Sequence, residues 1–298
     1  MEIGLSCHFF RKAIADDFCE VYFEHRRGTR TNVEVKSAMP TAVYGVLTVF
    51  VTVLVAVGGL VLVQRVFPLA LRQKHNDVAG FIYAVVGIVY AVLLALVVVA
   101  AWEEHEAAKG TVDSEANELA ELYWLAHKLP EGEQRRIQGL ARSYAHVVID
   151  EEWPLMSQGD QTNARAWELL DEMRLVVQDS EVSSRADQVL YEQGLERVHD
   201  LADARRTQLV EADEGIPAVL WIVLVVGGLV TVGFTYLFGL ENTRVHRLMV
   251  GALAGVIALA IFTIGALEYP FSGGARVDPG AFELVLERFE TSKLSDLR

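Results

Sequence analysis

The chain has 298 residues, of which 52% are hydrophobic, and it carries a net charge of −14. So much apolar content beside so much uncompensated charge does not suit one water-soluble body, so the two must be segregated along the chain. The acidic balance argues against nucleic-acid binding, because it repels phosphate rather than releasing its counterions, and two cysteines give no disulfide framework.

Residues 1–38 mix six basic side chains (Arg11, Lys12, Arg26, Arg27, Arg30, Lys36) with six acidic ones, without periodicity. They lack the 7–15-residue apolar stretch of a cleavable signal peptide, so this segment is expected to be a disordered or non-native tail, with translation starting at Met39. Cys7 and Cys19 both lie in it, and Cys-x11-Cys has no zinc-finger spacing.

Four uncharged runs follow. Thr41–Val63 and Val78–Ala101 form the first pair, within a hairpin of residues 39–102; Ile216–Leu240 and Leu248–Leu267 form the second, within residues 216–267. Each reaches the roughly 20 residues needed to cross about 30 Å of hydrocarbon. Trp102 and Trp221 stand where indole rings favour the headgroup level, and Pro217 suits a first helical turn. The expected fold is an all-α membrane protein: four transmembrane helices as two hairpins, with an antiparallel helical soluble domain, 103–215, inserted between them.

Lys and Arg close to the spans set orientation. The link 64–77 holds Arg65, Arg72 and Lys74 against Asp77, and the link 241–247 holds Arg244 and Arg247 against Glu241, so both are expected on the cytoplasmic side of the cell membrane. Residues 103–215 contain 11 Lys and Arg against 26 Asp and Glu, an excess of 15 negative charges. That domain and both termini are expected outside.

Within the domain, Leu119, Leu122, Tyr123 and Ala126 recur at helical spacing until Pro130 and Gly132. Ile137, Leu140, Tyr144, Val147 and Val148 mark a second helix, expected to end at Trp153-Pro154. Trp167, Leu170, Met173 and Val177 mark a third; Val189, Val198, Leu201 and Leu209 mark a fourth. Alternating strand patterns are lacking, and the outer helices are expected to continue the flanking spans. After the last span, 268–298 comprise a turn-forming stretch, with Tyr269, Pro270 and Phe271 as expected interfacial residues. A short amphipathic helix then carries Phe282, Val285, Leu286 and Phe289, to lie either on the bilayer or against the domain.

Few residues point to chemistry. Glu103 and Glu106, one helical turn apart, could share a cation, or serve only as a solvated acidic collar. His199 beside Asp200 and Asp203 has the same two readings. No nucleophile elbow, zinc-binding helix, phosphate loop or dinucleotide fingerprint occurs, so neither enzymatic activity nor a cofactor is expected. The spans lack the mid-bilayer ionisable residues of proton-coupled carriers. They carry small residues instead, Gly58-Gly59, Gly227-Gly228 and Gly251-x-x-x-Gly255, suited to packing within the chain or to self-association. Tyr83, Gly87 and Tyr90 share one face of the second span, which could border a helix contact or the neck of a pore.

A set of residues carries a more specific likeness: Trp102, Ala107, Val112, Glu115-Ala116, Leu119 and Leu122-Tyr123, then Glu152-Trp153, Arg205-Arg206, Leu209, Ile216-Pro217-x-x-Leu220-Trp221, and Pro270-Phe271-Ser272-Gly273. Over about residues 39–290 the chain resembles the bacterial bestrophin-like family of unknown function. The resemblance implies a distant likeness to bestrophin anion channels, which are oligomers with four spans per subunit and a large cytosolic domain. Two functions are therefore expected in competition: a homo-oligomeric ion-conducting pore in the lipid bilayer, or a non-conducting envelope sensor or scaffold whose acidic domain binds a partner or cation.

Overall fold

The structure, a computed structural model, describes residues 41–73, 76–159, 162, 164–213 and 215–295. The tail 1–38, its two cysteines and the expected start at Met39 lie outside the described residues.

Helix α1, Thr41–Val66, is the first span. After the short α2, Leu69–Gln73, helix α3 runs unbroken over 50 residues from Asn76 to Leu125, so the second span and the first domain helix are one rod of about 75 Å. The next helix, α4, is Glu131–Val147; a π turn, Val148–Glu152, then leads into the short α5, Trp153–Ser157. The backbone thus stays helical from Glu131 through Ser157, and Trp153-Pro154 does not end the helix. Helices α6, Arg165–Gln178, and α7, Arg185–Asp213, complete the inserted domain. The last spans are α8, Ala218–Thr235, and α9, Thr243–Leu267, followed by α10, Gly280–Ser295. Among the described residues the fold is that of an all-α membrane protein, with four helices long and apolar enough to cross a bilayer.

Three expectations change. The third span is helical only to Thr235, and its remainder turns back to meet the other basic link: Asn76 donates to the Gly239 carbonyl (3.0 Å) and accepts from its amide (2.9 Å). Helix α7 does not continue into α8, since Gly215, Ile216 and Pro217 are non-helical and Pro217 opens the new helix. Nor do the first two spans pair principally with each other: α1 packs on α9, and α3 on α8 and α9.

Small residues account for that pairing. On α9, a Cβ added at Gly251 would lie 3.4 Å from Val53 of α1, and one at Gly255 likewise 3.4 Å from Val53, so Gly251-x-x-x-Gly255 packs within the chain. A Cβ at Gly45 would meet the Phe262 ring at 2.7 Å. Tyr236 of the α8–α9 turn donates to the Ala56 carbonyl (2.8 Å), which pins that turn to α1.

In the domain α3, α4, α6 and α7 pack around one apolar core that includes Leu119, Leu122, Ile137, Leu170, Met173 and Leu201. Helix α10 joins this core rather than the bilayer. Phe282 and Phe289 are fully buried, and the Phe289 ring stacks on Tyr123 with centroids 3.8 Å apart. The turn between α9 and α10 aims the helix there. The Gly273 amide donates to the Tyr269 carbonyl (2.6 Å) and the Val277 amide to that of Pro270 (2.8 Å). A side chain at Gly273 would strike the Tyr269 and Ala266 carbonyls.

Candidate functional site

The tyrosine face of the second span lies against the same chain. Tyr90 is buried; its hydroxyl donates to the Leu224 carbonyl of α8 (3.0 Å), and its ring covers Gly227, where a Cβ would come within 2.5 Å of it. Tyr83 meets Phe234 and Phe238 at ring-centroid distances of 6.3 and 5.7 Å. Gly87 has no side-chain neighbour within 4 Å of an added Cβ and stays clear of α8. At the end of the bundle with the basic links, His246 is buried; its Nε2 donates to the Thr235 carbonyl (3.1 Å), and its Nδ1 accepts from Gln64 (3.4 Å).

At the opposite boundary Trp102 is exposed, whereas Trp221 is half-buried and donates from its indole to Glu268 (2.9 Å). Burial pushes the Glu268 carboxyl above its ordinary range, the nearby Glu104 adds to this, and the Trp221 hydrogen bond opposes it. Glu103 and Glu106 point to solvent, and among the described residues no three metal-ligating side chains converge. Tyr269 packs on Gly215, while Pro270 and Phe271 turn inward, Phe271 edge-on to Trp153 at 5.7 Å. Both prolyl and phenyl rings thus join the base of the domain core instead of facing lipid, because the Gly273 turn folds the chain back.

The densest chemistry lies where the sequence reading placed none. Arg205, on α7, is fully buried. Its Nη2 donates to Glu152 of the π turn at 2.6 Å, and its Nη1 reaches Glu115 of α3 at 3.5 Å and the Tyr144 hydroxyl of α4 at 3.3 Å. Tyr144 in turn donates to Glu115 Oε1 at 2.5 Å. The guanidinium also lies over the Trp167 ring of α6 at 5.2 Å, an arrangement that a planar, weakly hydrated cation favours. Four other pieces of the domain, α3, α4, the π turn and α6, thus converge on the one cation that α7 carries.

The balance of charge is uneven. Two carboxylates face one guanidinium, and all three are at most 1% exposed. Glu115 Oε2, Arg205 Nε and Gln208 Nε2 are buried without a hydrogen-bond partner among the described residues. Glu115 lies 14 residues beyond the apolar stretch that ends at Ala101, about 21 Å further along α3 and well outside the span. Burial pushes its carboxyl up to about 7, against the opposing pull of Arg205 and the Tyr144 hydroxyl. Burial raises Glu152 too, opposed by the direct hydrogen bond and charge of Arg205, and burial raises the Tyr144 hydroxyl well above its usual value.

The signal for this cluster was present but unused. Glu115 falls on the same stripe as Val112, Leu119 and Leu122, and Arg205 follows Leu201 by one turn. Ionisable residues on a stripe that must be buried are expected to need one another.

Comparison with known proteins bears on the whole chain. A bestrophin-like domain model matches residues 50–282. A comparison with curated proteins gives no match. Among solved structures, the chain is similar to a crystal structure of a membrane protein with TM-score 0.54 and 13% identity, covering 83% of this chain and 97% of the other. That likeness is one of fold.

Proposed function

The chain belongs to the bestrophin-like domain family, and from that membership we propose that it forms a homo-oligomeric ion-conducting pore in the cell membrane, with no enzymatic activity. The observation that carries the reading is the family match, which covers the spans and the domain together. The packing supports it. Tyr83 and Tyr90 are consumed in holding α3 to α8 rather than lining a path. Gly87 of α3 and Gly58 of α1, by contrast, face open space. A conducting path would then lie between copies, bordered by faces that their own chain leaves free.

Planar bilayers containing the purified oligomer test this. Ionic current that scales with the inserted protein is expected. Silent bilayers, with the protein shown to be inserted and oligomeric, would refute conduction and favour the sensor or scaffold reading.

The orientation is part of the proposal. The basic links 64–77 and 241–247 are taken as cytoplasmic and the acidic domain as extracytoplasmic, since Lys and Arg near spans are retained inside. In a background with Cys7 and Cys19 replaced by serine, Glu172→Cys should react with an impermeant maleimide on intact cells, and Arg244→Cys only after lysis. The reverse pattern would invert the topology.

A further inference from the structure

We propose that the Glu115–Tyr144–Glu152–Arg205 cluster is a proton-binding site, in which one proton taken up by Glu115 converts a buried group of net charge −1 into a neutral one and so changes how α3 seats against α7.

A carboxylate away from water is tolerated when a cation and hydrogen bonds replace its hydration. Arg205 provides this once, to Glu152 at 2.6 Å. Its approach to Glu115 is long, 3.5 Å, which leaves Glu115 the under-compensated partner. Glu115 Oε1 has the Tyr144 hydroxyl, but Oε2 is buried with no donor among the described residues. A carboxylate held this way is relieved most simply by a proton, which removes the uncompensated charge without moving any side chain.

The surroundings of Glu115 are known from each packed element. Helix α7 presents Arg205; α4 presents Tyr144; the π turn presents Glu152. Around the same cluster α6 contributes Trp167 and α10 contributes Phe282. Further along the α3–α7 seam, Glu211 accepts from Thr111 (2.9 Å) on the membrane side, and Arg197 pairs with Glu118 (2.8 Å) on the other. No second cation within the cluster competes for Glu115 among the described residues. The elevated affinity of Glu115 for protons, noted above, puts the transition within the neutral range.

Location gives the site its consequence. Helix α3 is continuous with the second span, and α7 leads into the third. The Glu115–Arg205 contact therefore bridges the two helices that carry the domain on the membrane. Ionised Glu115 draws α7 toward α3 through Arg205; protonated Glu115 keeps the Tyr144 contact and loosens that pull. The proton site does not depend on conduction, and a silent bilayer would leave it standing.

The test uses the full chain in lipid nanodiscs, titrated from about pH 5 to about pH 9 by infrared difference spectroscopy of the protonated-carboxyl carbonyl band. Wild type should lose one such band with a midpoint near neutrality. Glu115→Gln should lack that transition, and Asp171→Asn, an exposed carboxylate change, should retain it. Tyr144→Phe should shift the midpoint upward, since it removes a donor that favours the ionised form. Hydrogen-exchange protection in 103–125 and 197–213, taken relative to the intrinsic exchange rate at each pH, should differ between the two ends of the titration in wild type and coincide in Glu115→Gln. No carboxyl transition in this range, or a transition that survives Glu115→Gln, would overturn the site. Identical exchange of wild type at both ends would overturn its coupling to α3 and α7.

Discussion

Replacing Arg205 by methionine removes the cation that Glu115 and Glu152 share while keeping much of its length and apolar stem. Glu115 and Glu152 would then remain buried with no positive partner, a situation that costs about 3–5 kcal/mol when one side of a buried ion pair is deleted. The same substitution forfeits the contact over Trp167. The pH dependence provides a second handle. In wild type Glu115 titrates at about 7 folded against 4.5 unfolded, so the folded state binds more protons between these values. Its relative contribution is fully present below about pH 4.5 and is lost as pH rises through about 7, a swing of roughly 3 kcal/mol. Without Arg205 both carboxylates hold protons more tightly still. The deficit of Arg205→Met against wild type should therefore be largest at about pH 8 and shrink at about pH 5. Unfolding of the full chain in mild detergent, followed by the fluorescence of Trp153 and Trp167, measures both quantities. The triple variant Arg205→Met, Glu115→Gln, Glu152→Gln should recover most of the loss, because it leaves no buried charge. A deficit below about 1 kcal/mol at about pH 8, or one that grows on acidification, would refute the reasoning.

Two packing predictions can be checked in the same preparation. Phe289→Ala empties a fully buried position stacked on Tyr123 and should destabilise the domain by about 3–5 kcal/mol, with 280–295 becoming protease-sensitive; unchanged proteolysis would mean that α10 is not held by this ring. Gly227→Val brings a branched side chain where even a Cβ would come within 2.5 Å of the Tyr90 ring, and should separate α8 from α3, detected as a lower unfolding temperature and greater solvent access to Tyr90. Retention of the wild-type temperature would show that Tyr90 can vacate this groove at little cost.

The spans were legible because a bilayer tolerates neither free backbone groups nor charge, so 41–63, 78–101, 216–240 and 248–267 show themselves as uncharged runs. Which span meets which was not, since every side of such a run is apolar, and close fits such as Gly251 and Gly255 on Val53 and Gly45 under Phe262 select α9 for α1. The domain helices were legible from their period, but their junctions were not. Trp153-Pro154 reads as a stop, yet the helix passes through it by way of the π turn, which brings Glu152 to Arg205 and has no sequence signature. Phe282 and Phe289 announced an apolar face without naming its partner; the turn closed by Gly273 decides that. Glu115 and Arg205 were in plain view on buried stripes. Scoring charges as surface features hid a pair that is 90 residues apart in sequence.

The two helices that flank the buried cluster are joined to the membrane differently, and this makes the domain an asymmetric lever. Helix α3 passes from Glu115 to the apolar stretch ending at Ala101 with no break in its hydrogen-bond ladder, so a tilt of its domain half must carry the span with it. Helix α7 ends at Asp213, and the non-helical Gly215, Ile216 and Pro217 intervene before α8 begins, so no continuous hydrogen-bond ladder ties the two helices together. A shift at the α3–α7 seam should therefore reach the second span and be damped before the third. Native-state hydrogen exchange distinguishes the two connections: amides from 98 to 112 should be uniformly slow, whereas those of Gly215 and Ile216 should exchange many times faster. Comparable protection at both places would mean that α7 and α8 move as one, and the lever would have two rigid arms instead of one.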